Sequence, residues 1–492
     1  GVVGFPMRGS LNATPEMYKL SGEPVGGGFG WAQVVGDENL EGPKSICTPG
    51  AVAGLFEAHR LHGRLPMAEL MAPAINLARA GFIPGWHNSY ALNSAASRFY
   101  KFPELKRIFM PDGSLPSGFG PEPGNLKQPD LANTLEAISR EGPGIFYKGE
   151  IAHAMVNAVQ EGGGVLSLED LSRYQPFVWD GGLEFKYRGH NVRVPPYACA
   201  GTTSAMTLKL MNRFDLKALG NNSVEMLHAY ISAARLAYTD RFQYMADPEM
   251  CDAPWQGLVS DEYIAQRVAD IPREITDKFL PGDPWKYEDH QPETRKAASL
   301  PGWDYGTTHL CVIDREGNAV SLTNTLGGSF GSGFVAEGTG VALNNGMMWF
   351  DTLPNRINSI EPGKLPLNNM SPALVYDSSG VRIAVGASGG RRITNCVTQL
   401  AIKIIDFGMG PQEAIDSPRV DCSMPYTSID PRLDKSVVSE LNRRGHNIEP
   451  MGDGGLDIGF PSFASPVAIV RDGDKDLRAG VDVFQSAYAA GI

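Results

Sequence analysis

The sequence predicts an α/β protein of the α+β type, in which stacked β-sheets are covered by helices on both sides. Helical periodicity dominates to about residue 270, strand-like patterns dominate between residues 308 and 386, and helical periodicity returns at residue 393. Hydrophobic residues make up 42% of the 492 residues and charged residues 20%, as in globular proteins with a sizeable core. Strands between two helical regions favour this layered arrangement, because each apolar sheet face needs a cover.

The first part of the chain is predicted to be mainly helical. Gly63 ends the first helical pattern and Pro66 opens the second. Ser167 to Asp170 has the form of a capping box, which predicts a further short helix. Residues 110–128 are rich in Pro and Gly and predict a loop, whereas 185–194 predicts a hairpin. The longer helices are predicted at 51–62, 66–80, 131–139, 150–160, 203–214 and 224–241.

Residues 271–306 differ in composition from the helical part before them. Five prolines fall in this segment, with acidic residues between them, which is typical of a linker. The segment ends immediately before Thr307, where the strand-rich part begins. We therefore expect a linker that leads directly into a strand opening with threonine.

The second part of the chain begins with strands and ends with helices. Strands are predicted at 308–314, 319–325, 339–344, 373–377 and 381–386. Helices are predicted at 393–407, 412–416 and 436–444, and a last hairpin around Asp472-Gly473. The sequence shows no internal repeat.

Charge and cysteine usage exclude several classes of function. The net charge of −12 argues against nucleic acid as a partner, because phosphate binding needs clustered Lys and Arg. No apolar run approaches 18 residues, so no membrane span is expected. Six scattered cysteines without a CxxC pair indicate neither zinc nor disulfides. His59 and His62 lack a third ligand at metal spacing, which favours a solvated helix end.

The chain opens with a strand-like stretch, Gly1 to Phe5, and not with Met. That start predicts further sequence upstream, which could include a signal peptide.

The stretch Tyr305-Gly306-Thr307-Thr308-His309-Leu310 stands at the start of the strand-rich part. Asp314 to Asn318 has the composition of a turn, and β-branched and apolar residues flank it on both sides. The pattern predicts a hairpin whose first strand opens with Gly-Thr-Thr. Taken alone, these residues also fit an ordinary structural hairpin.

Four further motifs follow in order and make the interpretation specific. They are 323–331 (TNTLGGSFG), 343–345 (LNN), 366–372 (PLNNMSP) and 386–391 (GASGGR). The ordered series resembles the γ-glutamyltranspeptidase family, whose members are N-terminal-nucleophile (Ntn) hydrolases. The resemblance runs from about residue 45 to the C-terminus and is densest over 307–394. It implies a four-layer αββα sandwich, one large unit built from two chains after self-cleavage.

The resemblance implies cleavage of the Gly306–Thr307 bond, giving a large subunit of residues 1–306 and a small subunit of 307–492. A threonine hydroxyl needs a base beside it, and an N-terminal threonine supplies its own α-amine, whose ordinary pKa is about 7.7–8.0. Thr307 would therefore be the nucleophile. Glycine suits position 306, because it tolerates unusual backbone angles and leaves the carbonyl open.

Two more features match the machinery of the family. Thr325 matches its second threonine, which hydrogen-bonds the amine of the nucleophile; taken alone it is equally a strand residue. Gly389 and Gly390 match the glycine pair whose amides form the oxyanion hole. Glycines just before a helix allow backbone donors to approach a developing oxyanion, although a tight strand-to-helix turn would use them as well.

The substrate-binding residues of the family are only partly present. Asn, Gln and Asp side chains that grip the glutamate head group are replaced by Gly327, Gly346 and Trp349. Asn368-Asn369 stands in place of the serine pair of the family, and Arg8 is the candidate for its carboxylate-binding arginine.

An indole in place of a charged clamp predicts an acyl group with an apolar part. The segment 350–365 is short where many members carry a lid, so we expect a site open to water and hydrolysis over transfer.

The expected activity is that of a self-processing amidohydrolase or acyltransferase acting on small-molecule γ-glutamyl or related acyl amides, without a metal or organic cofactor. One alternative is an acylase for apolar or dicarboxylic acyl amides. A second is a serine hydrolase, because 386–390 fits G-x-S-x-G with Ser388 as nucleophile. That enzyme would need His446, which follows a predicted helix end and is expected to be solvated. A third is a relative that binds amides without catalysis.

Overall fold

The computed structural model describes residues 1–22, 31–119, 124–275, 278–290, 296–298, 306–450, 463–473, 476–483 and 485–491. The strands are β1 (Val2–Gly4), β2 (Phe177–Trp179), β3 (Leu183–Tyr187), β4 (His190–Val194), β5 (Thr307–Ile313), β6 (Ala319–Thr325), β7 (Ala373–Asp377), β8 (Gly380–Ser388), β9 (Val420–Asp421), β10 (Thr427–Ile429), β11 (Ile448–Pro450), β12 (Ser465–Asp472) and β13 (Asp476–Val481).

The helices before residue 306 are α1 (Ala51–His62), α2 (Met67–Ala80), α3 (Trp86–Ser94), α4 (Ala96–Lys101), α5 (Pro103–Phe109), α6 (Pro129–Glu141), α7 (Gly144–Tyr147), α8 (Glu150–Glu161), α9 (Leu168–Arg173), α10 (Gly201–Met211), α11 (Leu216–Leu219), α12 (Val224–Tyr244) and α13 (Asp261–Ala269). Those after it are α14 (Arg392–Ile405), α15 (Pro411–Asp416) and α16 (Lys435–Arg443).

A six-stranded antiparallel sheet, in the order β13-β12-β8-β7-β4-β3, forms the centre of the fold. Helices α10 and α14 pack against it, and α12 packs on α10. Strands β5 and β6 pair only with each other over the described residues and pack on β8, while β1 pairs with β2 and contacts α1. Helices therefore flank two layers of strands, as the sequence predicts.

The central sheet contains strands from both sides of the Gly306–Thr307 bond. Strand β4 pairs with β7 from Asn191↔Tyr376 to Arg193↔Leu374. The main hydrophobic core likewise mixes the two parts, with Tyr187 and Val385 both fully buried in it. Cleavage at this bond would therefore leave two chains that share one sheet and one core.

Local signals explain where several elements begin. The Ser167 hydroxyl accepts the Asp170 N–H at 3.2 Å, which completes the predicted capping box of α9. Asp314 Oδ1 accepts the N–H groups of Glu316 and Asn318, both at 2.9 Å, and this turn fixes the register of β5 and β6.

Residues 339–344, predicted as a strand, do not form one. Gly338 and Gly340 have φ of 75° and 64°, which curls the chain into turns. The segment keeps a single isolated bridge, Val335↔Ala342, so the prediction was wrong there.

The predicted linker is packed where the structure describes it between residues 278 and 290. The Gly282 N–H donates to Asp240 Oδ1 at 2.9 Å, and Arg267 donates to the Leu280 carbonyl at 2.8 Å. Buried partners on α12 and α13 thus hold a segment whose composition alone indicates a linker. Residues 276–277, 291–295 and 299–305 of the predicted linker lie outside the described residues.

Candidate active site

Thr307 and Thr325 lie opposite each other at the open end of the β5–β6 hairpin. The Thr307 hydroxyl donates to Thr325 Oγ1 at 3.0 Å. The Gly327 N–H also donates to Thr325 Oγ1, at 2.9 Å. The Thr325 hydroxyl in turn donates to the Gly306 carbonyl oxygen at 3.2 Å. The structure thus brings together three of the residues predicted from the sequence.

Gly306 occupies a position that suits glycine alone. Its φ is +123°, and a Cβ placed there would lie 2.3 Å from the carbonyl oxygen of Gly328. Its own carbonyl oxygen accepts a second hydrogen bond, from the Leu326 N–H at 3.4 Å. The bond between Gly306 and Thr307 is therefore held with a polarised carbonyl beside a hydroxyl.

Asn345 supports the glycine loop that abuts Gly306. Its side-chain oxygen accepts the Gly328 N–H at 2.7 Å, and its side-chain NH₂ donates to the Leu40 carbonyl at 2.8 Å. The sequence motif contained Asn345 but suggested no role for it. Its burial, at 3% exposure, and its two bonds make it a structural clamp for this loop.

His309 docks the hairpin on the central sheet. It points to the same face of β5 as Thr307, and its Nδ1 lies 2.8 Å from Thr323 Oγ1. The imidazole lies against Gly386 of β8, where a Cβ would be 2.0 Å from ring atom Cε1. Burial lowers the pKa of His309 to about 3, so the ring is neutral at ordinary pH. The alternation of polar residues along the inward face of the hairpin is the sequence signal that could have indicated this role.

Gly389 and Gly390 follow β8 directly and precede α14. Their φ values are 133° and 62°, and Ala464 stands against Gly389, where a Cβ would be 2.7 Å from the Ala464 Cα. Within the described ranges, neither of the two N–H groups donates a hydrogen bond. The pair lies three and four residues beyond Gly386, which contacts His309, and among the described residues no acceptor occupies its two amides.

Three of the predicted substrate-binding residues, Trp349, Asn368 and Asn369, are buried. Trp349 is 3% exposed. Asn368 uses its side-chain oxygen to accept the Met370 N–H at 3.1 Å and its NH₂ to contact Cys199 Sγ at 3.6 Å. Asn369 lines a small cavity of about 10 Å³ together with Trp349 and Arg391. Asn368 therefore holds the local backbone, and Asn369 borders this small cavity.

A larger cavity, of about 1270 Å³, runs between β1 and β6. Thr325, Trp349 and Asn368 contribute to its mainly apolar wall. The described wall includes Thr325 but neither Thr307 nor the glycine pair.

Arg8 is engaged in an ion pair. Its guanidinium lies 2.6 Å from a Glu249 carboxylate oxygen, donates to the Gly363 carbonyl at 2.8 Å, and sits over the Phe177 ring at 5.7 Å. A substrate carboxylate would have to displace Glu249 to reach it.

The geometry does not support the serine-hydrolase alternative. His446, expected to be solvated, is 6% exposed, and its Nε2 lies 2.8 Å from Nδ1 of His228. Burial, with the neighbouring His228 adding to it, lowers the pKa of His446 to about 3. His446 is thus paired elsewhere and is a poor base for Ser388.

The described residues contain no group of three or more His, Cys, Asp or Glu side chains arranged to hold a metal ion. No helix among them has the length and apolar character to cross a membrane.

Solved structures identify the class of protein. The cephalosporin acylase from Bacillus halodurans superposes with a TM-score of 0.81 at 25% identity, covering 99% of this chain and 85% of that one. The Helicobacter pylori γ-glutamyltranspeptidase superposes with a TM-score of 0.52 at 27% identity, covering 59% of this chain and 80% of that one. The fold is that of the Ntn hydrolases, and the predicted αββα sandwich is confirmed.

Sequence comparisons define the family. The family model described as Gamma-glutamyltranspeptidase matches residues 8–492. An "Acylase ACY 1 proenzyme" of Pseudomonas sp. (strain V22) is 31% identical, over 90% of this chain and 76% of the relative. The "Glutathione hydrolase proenzyme" of Bacillus subtilis (strain 168) is 32% identical, over 84% and 70%. The chain therefore belongs to the γ-glutamyltranspeptidase family and is an amide-cleaving or acyl-transferring enzyme, as the motifs predict.

Proposed function

We propose that the chain cuts itself at Gly306–Thr307 and then hydrolyses acyl amides with Thr307 as its nucleophile. The observation that carries this proposal is the contact of the Thr307 hydroxyl with Thr325, whose own hydroxyl donates to the Gly306 carbonyl. The names of the relatives, which include the word proenzyme, support it. Because the two parts share the central sheet, the cut enzyme stays assembled as a large and a small subunit.

Self-cleavage proceeds through an ester. The Thr307 hydroxyl oxygen attacks the Gly306 carbonyl carbon, the C–N bond breaks, and the nitrogen gains a proton to become the α-amine of Thr307. Water then hydrolyses the ester, which leaves a carboxylate on Gly306 and restores the Thr307 hydroxyl.

Turnover uses the new amine as the base. The α-amine takes the hydroxyl proton as Thr307 attacks the substrate amide, and it returns that proton to the departing amine. The Gly389 and Gly390 N–H groups receive the developing oxyanion, and Thr325 orients the nucleophile. Water then releases the acyl group.

The substrate we propose is an amide of an acyl group that is more apolar than γ-glutamyl, or that is dicarboxylic. The family's side chains that grip the glutamate head group have no room at two of their three positions in this chain. A Cβ at Gly327 would lie 2.2 Å from Asn345 Oδ1, and one at Gly346 would lie 2.9 Å from Cys47 Sγ. Trp349 takes the third position. Relatives named as acylases and relatives named as glutathione hydrolases are about equally identical to this chain, at 31% and 32%, so this preference rests on the three positions and not on the names of the relatives.

Hydrolysis is proposed over transfer because the segment after Trp349 packs into the body of the protein. Ile357 and Ile360 of this segment are 5% and 1% exposed and belong to the main core. Thr307 itself is partly exposed in the uncut chain, so water would reach the acyl-enzyme.

A denaturing gel with N-terminal sequencing tests the proposal. The wild type should give two bands of about 33 and 20 kDa from the 53.1 kDa chain, the smaller one beginning Thr-Thr-His. Thr307→Ala should give one uncut band without amidase activity, whereas Thr307→Ser, which keeps a hydroxyl, should still be cut. A wild type that stays uncut yet hydrolyses amides would refute the mechanism, and an uncut, inactive wild type would indicate a binding relative.

A further inference from the structure

We propose that Arg98 is a positioning residue for both reactions of Thr307, self-cleavage and turnover. Arg98 lies on α4, and none of the sequence motifs includes it. It acts through the loop of residues 326–333, which follows β6. This inference rests on the proposed roles of Thr307 and Thr325, and it adds to them a residue of the large subunit that holds the neighbouring loop in place.

The loop 326–333 contacts the reacting groups at two points. The Gly327 N–H donates to Thr325 Oγ1 at 2.9 Å. The Gly328 carbonyl oxygen stands beside Gly306, where a Cβ would lie 2.3 Å from it. Gly327 has a φ of 95°, and glycine gives a loop little stiffness of its own. The position of the loop must therefore come from its contacts with other parts of the chain.

Arg98 binds the backbone of this loop. Its guanidinium donates to the carbonyl oxygens of Ser329 and Gly331, the second at 2.8 Å. The Arg98 Nε lies 2.9 Å from Oε1 of Glu41, and the two side chains are 18% and 24% exposed. A planar guanidinium that a carboxylate holds on one edge presents its other donors in fixed directions. Arg98 therefore fixes two carbonyl groups of the loop at once.

The residue between those two carbonyl groups has an unusual conformation. Phe330 has a φ of 59°, a region that residues other than glycine rarely occupy. Its ring packs edge-on against the rings of Phe99 and Phe109, with centroids 5.0 and 5.1 Å away. Phe99 is the neighbour of Arg98 on α4, so one turn of helix holds both the ring of Phe330 and the backbone on either side of it. Because such a conformation persists only where its surroundings impose it, loss of the Arg98 bonds should let the loop relax.

The effect of Arg98 should appear in reaction rates and not in substrate affinity. Over the described residues, its guanidinium contacts Ser329, Gly331 and Glu41, and it lines neither the large nor the small cavity. Arg98 and the loop lie on opposite sides of the proposed cut, so their contact can act before cleavage and after it. Both reactions should therefore depend on Arg98.

Arg98→Met tests this dependence directly. Methionine keeps much of the length of the side chain but donates no hydrogen bond, so the loop should shift relative to Thr307. Because a displacement of about 1 Å costs on the order of 10²-fold in rate, we expect self-cleavage and kcat to fall by on the order of 10- to 10²-fold. KM should stay close to its wild-type value. Arg98→Lys keeps the charge but not the planar fork, and it should recover part of the loss.

The measurements are a gel time course of newly made chains and the kcat and KM of the cut enzymes on a chromogenic anilide, with thermal unfolding as the folding control. Arg98→Ala is assayed with and without methylguanidinium, which replaces the missing group and should raise its rates towards those of the wild type. The matched control is Arg107→Met. Arg107 lies on α5 and pairs with Glu104 and Asp130 at the surface, so its removal should leave both rates unchanged.

Wild-type rates in a folded Arg98→Met chain would overturn the inference. So would a higher KM at an unchanged kcat, because Arg98 would then bind substrate, and so would a slow Arg98→Ala enzyme that methylguanidinium does not accelerate. If Arg98→Met does not fold, Arg98→Lys takes its place, and wild-type rates in that variant would count against the inference. All of these results leave the wild type cut at Thr307, whereas an uncut wild type would mark failure of the proposed function itself.

Discussion

The imidazole of His309 fills the space where a side chain at Gly386 would lie. A Cβ at Gly386 would come within 2.0 Å of Cε1 and 2.3 Å of Nε2 of His309. This contact joins the strand that carries Thr307 to the strand that leads into Gly389 and Gly390. The packing of the His309 ring against Gly386, which has no side chain, thus sets the position of the proposed nucleophile relative to the proposed oxyanion donors.

Gly386→Ala should uncouple turnover from self-cleavage. The added methyl group forces β5 away from β8, and overpacking of this kind costs about 1–3 kcal/mol of stability. A shift of about 1 Å between nucleophile and oxyanion donors costs on the order of 10²-fold in rate. Cleavage at Gly306 should persist, because the groups that contact the Gly306–Thr307 bond all lie within the β5–β6 hairpin and the loop after β6. The measurements are the gel assay and kcat of the cut enzyme.

The matched control for this change is the double variant Gly386→Ala with His309→Ala. Removing the ring relieves the clash, so the double variant should recover part of the unfolding temperature that Gly386→Ala loses. Strictly additive losses would show that the ring and the glycine do not interact.

Ser388→Ala separates the threonine mechanism from the serine mechanism. With Thr307 as nucleophile, this variant should be cut normally and keep most amidase activity. A serine nucleophile would instead lose on the order of 10⁶-fold in kcat when it is removed. A loss of that size with self-cleavage intact would favour the serine hydrolase.

A panel of chromogenic anilides should show slower turnover of the γ-glutamyl member than of apolar or dicarboxylic ones. Charged hydrogen bonds to an amino acid head group contribute roughly 1.5–3 kcal/mol each, and every 1.4 kcal/mol is a tenfold effect. Loss of two or three should lower kcat/KM for γ-glutamyl anilide by several powers of ten. Efficient turnover of γ-glutamyl anilide alone would show that the clamp positions were misassigned.

Trp349→Asp should only partly reduce the difference in kcat/KM between the γ-glutamyl anilide and the apolar or dicarboxylic anilides. Gly346 still lacks the amide side chain that the family carries at its position. The indole is 3% exposed, so an aspartate there is also costly to bury. Thermal unfolding of the variant and Trp349→Phe, which keeps an apolar ring, serve as controls. An unchanged ratio of kcat/KM values in a folded Trp349→Asp enzyme would remove Trp349 from the specificity determinants.

Two buried histidines, His228 and His446, and the half-buried His309 predict a loss of stability in acid. Burial lowers the pKa of His309 and of His446 to about 3 each, and it also lowers that of His228. An unfolded histidine binds its proton near pH 6.5. Below that pH the unfolded state therefore holds protons that the folded state does not, and stability falls until the folded pKa is reached. The slope is up to about 1.4 kcal/mol per pH unit for each such histidine.

Urea unfolding at pH 7 and pH 5 measures this effect. The midpoint should be lower at pH 5, and His309→Gln, which removes one titrating ring, should reduce the difference. Equal midpoints for the wild type at the two pH values would contradict the prediction.

Much of the fold and the centre of the site were predictable because they depend on short-range patterns. Strands β5 and β6 have seven residues each, and the turn from Asp314 to Asn318 fixes their register, so Thr307 must face Thr325. Helices α1 and α2 follow from apolar periodicity with Gly63 and Pro66 as boundaries.

The parts that the sequence could not supply depend on contacts between distant residues. Arg8 pairs with Glu249, 241 positions away, and His446 pairs with His228, 218 positions away. No local pattern encodes such partners. For the same reason, the sequence did not indicate the role of Asn345, whose side chain donates to the Leu40 carbonyl 305 positions earlier.

Because β4 and β7 lie on opposite sides of the proposed cut, their pairing makes folding harder to reverse after cleavage than before it. Before cleavage, folding is a unimolecular reaction whose rate does not depend on concentration. After cleavage, the same sheet must be rebuilt from two separate polypeptides. Refolding then becomes second order, and its rate falls as the two chains are diluted. The lifetime of the cut enzyme would therefore depend on a slow rate of unfolding, because an unfolded molecule would not readily refold.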